Sequence, residues 1–232
     1  MTAITVSGQS SQGQDQEAER PLRADAERNR QRILDAAREL FAERGLGVTL
    51  NDIAHHAGVG VGTVYRRFPD KKQLIDSLFE QRLEDLVGLM NAAIADPDPW
   101  QGLSRFLEGA LELQAADRGL RELITGMPDG LERISKLRGR LLPLGTELVR
   151  RAQATGQLRA DIEPQDVPVI QLMLATIIDA ARDVQPELWR RFLAITLRGL
   201  AARPDEQPVL EPGPLAPEDV DRVMSALKLG RR

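Results

Sequence analysis

Thr63, Tyr65, Arg66 and Arg67 stand together in GVGVGTVYRRF, residues 58–68, with Lys71 just beyond. Hydroxyl and guanidinium groups in such a run can hydrogen-bond and neutralise an anion, but they do not pair a nucleophile with its base. Arginine's planar fork matches phosphate oxygens, or the O6 and N7 edge of guanine. Other chemistry finds less support. His55 and His56 are adjacent and are the only two histidines. On a helix adjacent side chains diverge by about 100°, so they cannot share an ion as an i, i+4 pair can. The chain has no Cys, so neither a metal site nor a cofactor is expected. A hydrolase triad lacks a plausible base. Acid pairs such as Glu108 with Glu112, or Asp161 with Glu163, are indistinguishable by spacing from solvated surface carboxylates. The alternating glycines suggest neither a dinucleotide loop nor a P-loop, because the segment before them has a helical pattern and no Gly-Lys-Ser/Thr follows. No enzymatic activity is expected.

The elements that hold these groups follow from periodicity and caps. Residues 1–22 are rich in Ser, Gln, Gly and Glu with almost nothing to bury, which predicts a disordered leader. Ile33, Ala37, Leu40 and Phe41 recur at spacings of three and four, a first amphipathic helix that Gly45 can end in a left-handed cap. Thr49 stands three residues before Asp52, a variant of the capping box, and opens a second helix with Ile53, Ala54 and Ala57 on its apolar face. Gly58 supplies a tight turn. A third helix runs from about Val61 to Phe68, is stopped by Pro69, and is followed by a fourth that Asp70 and Gln73 start. Gly and β-branched residues make the third helix weak in isolation, so Val64 and Phe68 must pin it to its neighbours. Its other face then presents Val61, Gly62, Thr63, Tyr65 and Arg66, with Arg67 at its margin. Two helices joined by a short Gly-bearing turn, the second exposing such groups, describe a helix-turn-helix whose second member enters the major groove.

The formal net charge of −4 argues against a protein that coats nucleic acid through bulk attraction. Between Arg20 and Lys72, however, eleven Lys and Arg face seven Asp and Glu, an asymmetry that suggests one region meeting an anion. An ordinary solvated helical surface would read the same way. The chain shows no secretion signal and no uninterrupted apolar run of membrane-spanning length, which predicts a cytoplasmic protein.

ILDAARELFAERG, TLNDIAHHAGVGVGTVYRRF and PDKKQLID, spanning about a fifth of the chain between Arg28 and Leu78, resemble the DNA-binding domain of the TetR family of bacterial transcription regulators. One departure is Gly60, where the family often has Ser at the start of the recognition helix. Glycine is itself an acceptable cap. The resemblance implies a mostly helical C-terminal domain that dimerises and often holds a small effector.

The expected protein is therefore all-α: a leader (1–22), a three-helix helix-turn-helix head (23–80), a larger helical regulatory and dimerisation body (81–203), and a Pro-rich linker with a short C-terminal helix (204–232) bearing Val220, Val223, Met224 and Leu227. Thr49, Tyr65 and Lys71 are expected on phosphates, and Val61, Gly62, Thr63, Tyr65 and Arg66 at or near base edges. The alternative for Tyr65 is partial packing on the first helix. Arg23, Arg28 and Arg30 either flank the contact or solvate the first helix. One module offers little surface, so a homodimer is expected on double-stranded operator DNA. VPVIQLMLATIIDAA, residues 167–181, is apolar nearly all round, and PELWRRFLAITLRGL carries two stripes, one with Leu188, Phe192 and Ile195, the other with Trp189, Leu193 and Leu197. Ile170, Leu174, Ile178, Trp189, Leu193 and Leu197 are assigned as the partner-facing set, with a buried central helix pair in a monomer as the alternative. Phe106, Leu107, Leu111, Met127, Met173 and Ile177 either line a cavity for a largely apolar effector, oriented by Gln114, Arg121 or Asp179, or form solid core. The function expected is a repressor released from its operator by a small molecule. The rivals are an effector-independent regulator or activator, and a small-molecule-binding protein with a vestigial head.

Overall fold

The computed structural model describes residues 12–116, 130–203, 210–216, 219 and 223. Among them the secondary structure is helical, apart from one isolated antiparallel bridge between Leu158 and Ala201. The elements are α1 (Gln12–Arg44), α2 (Leu50–Ala57), α3 (Val61–Arg67), α4 (Lys71–Ala95), α5 (Pro99–Ala116), α6 (Gly130–Ala154), α7 (Asp166–Ala181) and α8 (Leu188–Leu200), with a 3₁₀ turn at Gly45–Gly47. The backbone of 12–22, expected as a leader, is continuous with α1. The chain divides into two compact units, residues 1–74 and 75–232.

In the first unit α1 packs on α2 and α2 on α3. Ile33, Ala37, Leu40 and Phe41 of α1, Ile53, Ala54 and Ala57 of α2, and Val64 with Phe68 are all buried, as the spacings require. Gly45 adopts φ +65° at the end of α1, a left-handed conformation that favours glycine.

The second unit is built around α5, which contacts α6, α7 and α8, while α7 also contacts α8. Asp98 caps α5, its Oδ1 accepting from Trp100 N at 3.0 Å and Gln101 N at 3.2 Å. Gly102 lets α5 close on the end of α4, since a Cβ there would lie 2.3 Å from the carbonyl oxygen of Ala93. Leu103, Phe106, Leu107 and Leu111 of α5 share a core with Leu148 and Val149 of α6, Leu174 and Ile178 of α7, and Trp189, Leu193 and Leu200 of α8. Gln171, buried in α7, donates from Nε2 to the Leu107 carbonyl at 3.0 Å and accepts from Gln114 Nε2 at 3.3 Å, so its amide is satisfied at both ends.

Two sets of expectations change here. Leu174, Ile178, Trp189 and Leu193, assigned to a partner, lie in the protomer's own core at 1–4 % exposure, with Ile170 and Leu197 packed against that core. On α7 and α8 the exposed large apolar groups are instead Phe192 at 38 %, Ile195 at 51 % and Met173 at 52 %. Periodicity defines two stripes on α8, and the one carrying Trp189, the bulkiest apolar side chain, is buried because it covers the most area. Met173, expected in a cavity, is exposed as well. Phe106, Leu107 and Leu111 are buried in the core and Ile177 packs partly buried against it. Met127, Arg121, Val220, Met224 and Leu227 lie outside the described residues, whereas Val223 is helical and half-buried.

Candidate nucleic-acid interface

The turn between α2 and α3 is held by local hydrogen bonds that its residue types supply. Thr49 caps α2: its Oγ1 accepts from Asp52 N at 3.2 Å, and Asp52 Oδ2 accepts from Thr49 N at 2.8 Å, closing both halves of the box. The bond from the Thr49 hydroxyl holds the Asp52 carboxyl below its ordinary pKa, so the acid stays charged at the positive end of α2. At the other end Gly58 takes φ +63° and ψ +36°, and its N–H and that of Val59 return to the carbonyls of His55 and Ala54, at 3.2 and 3.1 Å. The guanidinium of Arg32, on α1, takes one more carbonyl of this end, with Nη2 at 2.8 Å from Ala57 O.

Gly60 caps α3 without a side-chain bond, its carbonyl accepting from Thr63 N at 2.8 Å. Val64 at 0 % and Phe68 at 2 % exposure fasten the inner face of α3. The outer face carries Val61, Gly62, Tyr65 and Arg66, all exposed, with Thr63 half-buried beside them. Tyr65 is 45 % exposed, so its side chain is partly covered and partly open to solvent. Arg66 Nη2 lies 3.3 Å from the Thr63 hydroxyl, one turn back on the same face. Arg67 turns instead toward α1, 3.9 Å from Glu27. Asp70 Oδ1 accepts from Gln73 N at 2.8 Å, the expected start of α4. Lys71 sits with its Nζ 5.4 Å from the centre of the Phe41 ring, and burial lowers its pKa from the ordinary lysine value. Thr49, α3 and Lys71 thus belong to one unit, built on a single small core.

The histidines do not converge. His55 is exposed, and His56 Nε2 lies 2.6 Å from Glu39 Oε2 on α1, a second tie between α1 and α2. Among the described residues no group of His, Cys, Asp or Glu could hold a metal ion. Arg28 and Arg30 pair with Asp25 and Glu27 along α1. Two cross-helix ties escape a reading of the sequence, Arg32 to Ala57 and His56 to Glu39, because their partners are 25 and 17 residues away. No local spacing signals either one.

Comparison with known proteins agrees with this geometry. Residues 33–78 match the family described as "Bacterial regulatory proteins, tetR family", and residues 98–202 match "Transcriptional regulator SbtR-like, C-terminal domain". A TetR transcription regulatory protein from Mycobacterium vanbaalenii is 32 % identical, with a TM-score of 0.62 over 78 % of this chain and 100 % of that one. The chain belongs to the TetR family of bacterial transcription regulators. Members of the TetR family bind operator DNA and dimerise. Among further TetR-type relatives, the transcriptional repressor BepR of Brucella suis is 29 % identical across 68 % of this chain and 81 % of its own length. SmeT, the repressor of a multidrug efflux pump of Stenotrophomonas maltophilia, is 25 % identical, with a TM-score of 0.57 over 81 % of this chain and 97 % of its own. No described helix is long and apolar enough to cross a membrane.

Proposed function

We propose that this TetR-family regulator is a cytoplasmic homodimeric repressor, not an enzyme, that reads its operator with α3 and lets go when a largely apolar small molecule binds its body. The observation that carries the DNA contact is the two-sidedness of α3: Val64 and Phe68 are buried while Val61, Tyr65 and Arg66 face outward. In this reading Arg66 and Thr63 meet base edges, Val61 touches a thymine methyl, and Gly62 allows close approach. Thr49, Tyr65 and Lys71 meet phosphates and set the register. The head (23–80) reads DNA and the body (81–203) dimerises and senses.

The partner-facing surface is assigned to the outer faces of α7 and α8, through Met173, Phe192 and Ile195, because these apolar groups are exposed in the single chain. The effector is assigned to the side of α5 that carries Phe106, Leu107 and Leu111, close to Ile177, with the Gln114–Gln171 amide pair as its polar neighbour. Repression is the direction that the names of BepR and SmeT support. Release requires the effector to bind the two states of the dimer unequally, since equal affinity shifts nothing.

The test is selection of duplexes from a random-sequence pool, then footprinting of the recovered site upstream of the protein's own gene, with and without candidate apolar ligands. A two-fold-symmetric site with half-sites about one helical turn apart is expected. Failure to enrich any sequence would refute the reading. Activation of the bound promoter would reverse its direction.

A further inference from the structure

We propose that Arg32 is a positioning residue for DNA recognition: it clamps the carbonyl end of α2 to α1 and so fixes where α3 begins. The proposal rests on the assignment of α3 as the element that reads DNA.

The geometry is specific to Arg32. Arg28, Arg30 and Arg38, the neighbouring arginines of α1, each pair with a carboxylate three residues back. Arg32 reaches across to main chain instead, with Nη2 2.8 Å from the carbonyl oxygen of Ala57 and 3.4 Å from that of Gly58. The last carbonyls of a helix lack partners within it, and they carry the negative end of its dipole. Gly58 and Val59 amides cover His55 and Ala54, and the guanidinium covers Ala57, the last carbonyl of the helix.

The short connection beyond Ala57 makes the clamp consequential. Gly58, Val59 and Gly60 separate α2 from α3, and two of the three are glycines with wide conformational freedom. Val64 and Phe68 hold the middle and far end of α3. Without Arg32 the near end depends on the backbone bonds of the turn alone. Gly58 is fitted to the clamp as well: a Cβ there would lie 3.2 Å from Arg32 Nη2, on a left-handed backbone that side chains rarely adopt. Val61 and Gly62, the first residues of α3, sit three and four positions beyond Gly58. A pivot at the turn therefore displaces them from the groove while α3 remains helical.

A clamp and a phosphate ligand predict different behaviour, which the test exploits. Arg32→Met keeps the aliphatic stem and removes the donors. Binding is measured by anisotropy over a range of salt, to a duplex selected by the unaltered protein and to a random-sequence duplex. Arg32→Met should lose about tenfold on the selected duplex, the loss of one charge-assisted hydrogen bond. Random-duplex affinity and the slope of log K against log salt should not change, because no counterion is released at this position. Arg32→Lys, with one point charge in reach of the same carbonyl, should lose only about two- to fourfold. Equal losses on both duplexes with a slope reduced by about one would make Arg32 a phosphate contact and overturn the proposal. Undiminished binding by Arg32→Met would overturn it too. If Arg32→Met fails to fold, Arg32→Lys decides alone: a changed slope or unchanged specific affinity overturns the clamp. An unaltered protein that selects no sequence would instead refute the assignment of α3 itself.

Discussion

Replacing Gly62 by Ala separates the stability of the recognition helix from its fit to DNA. Gly62 is the second residue of α3, exposed, and a Cβ built there meets nothing within 4 Å. Its φ is not positive, so alanine adopts the same backbone without strain. Within a helix the exchange gains up to about 1 kcal/mol. In the first turn of a seven-residue helix roughly half of that is expected, about 0.5 kcal/mol, or close to a twofold shift against local opening. Amide hydrogen exchange at Tyr65 and Arg66 should therefore slow by about twofold. The added methyl stands on the face that carries Val61, Tyr65 and Arg66, where a groove fitted to bare backbone has no room for it. Affinity for the selected operator should fall by about tenfold, equivalent to about 1.4 kcal/mol, measured by anisotropy titration on the same samples. The two effects have opposite signs, so a destabilised helix cannot mimic the result. Slower exchange with unchanged or tighter binding would show that Gly62 does not approach the duplex.

The structure fixes four other outcomes. Arg66→Ala should relax the base preference at one operator position and cost about 1 to 3 kcal/mol, whereas Lys71→Ala should weaken all duplexes alike and lower the salt slope by about one, both read from salt-dependent binding series. Phe192→Glu or Ile195→Glu should cost the protomer no more than about 1 to 2 kcal/mol and halve the mass found by light scattering, because both side chains are partly exposed in the single chain. Leu193→Glu, one position from Phe192 but 4 % exposed, should cost several kcal/mol and abolish the cooperative melt. Asp161 accepts from Arg159 Nη2 at 2.6 Å and from Leu210 N at 3.3 Å; the Arg159 bonds chiefly lower its pKa from 3.8 to about 2. A depressed carboxyl pKa stabilises the fold above the unfolded value and ceases to do so as pH falls through the folded one. The melting temperature of Asp161→Asn should thus lie below that of the unaltered protein above about pH 4, with the gap closing toward about pH 2.

The head is legible in the sequence because its signals are local. Thr49 and Asp52, Asp70 and Gln73, and Gly58 each act within three or four residues, so their pairings are written into spacing alone. The body is legible as helices but not as faces. Two turns of α8 offer alternative stripes one residue apart, and nothing in either declares which neighbour will cover it.

The helical class, the helix-turn-helix and the outward set on α3 were determined by the order of residues, since caps and apolar periodicity are properties of a segment and its immediate flanks. The inward choice of Trp189 and Leu193, the outward turn of Met173, the burial of Gln171 against the Leu107 carbonyl and the reach of Arg32 to Ala57 were decided by tertiary packing. Each depends on which distant surface arrives opposite a side chain, and burial is a property of that pair of surfaces, which no single stretch of chain contains.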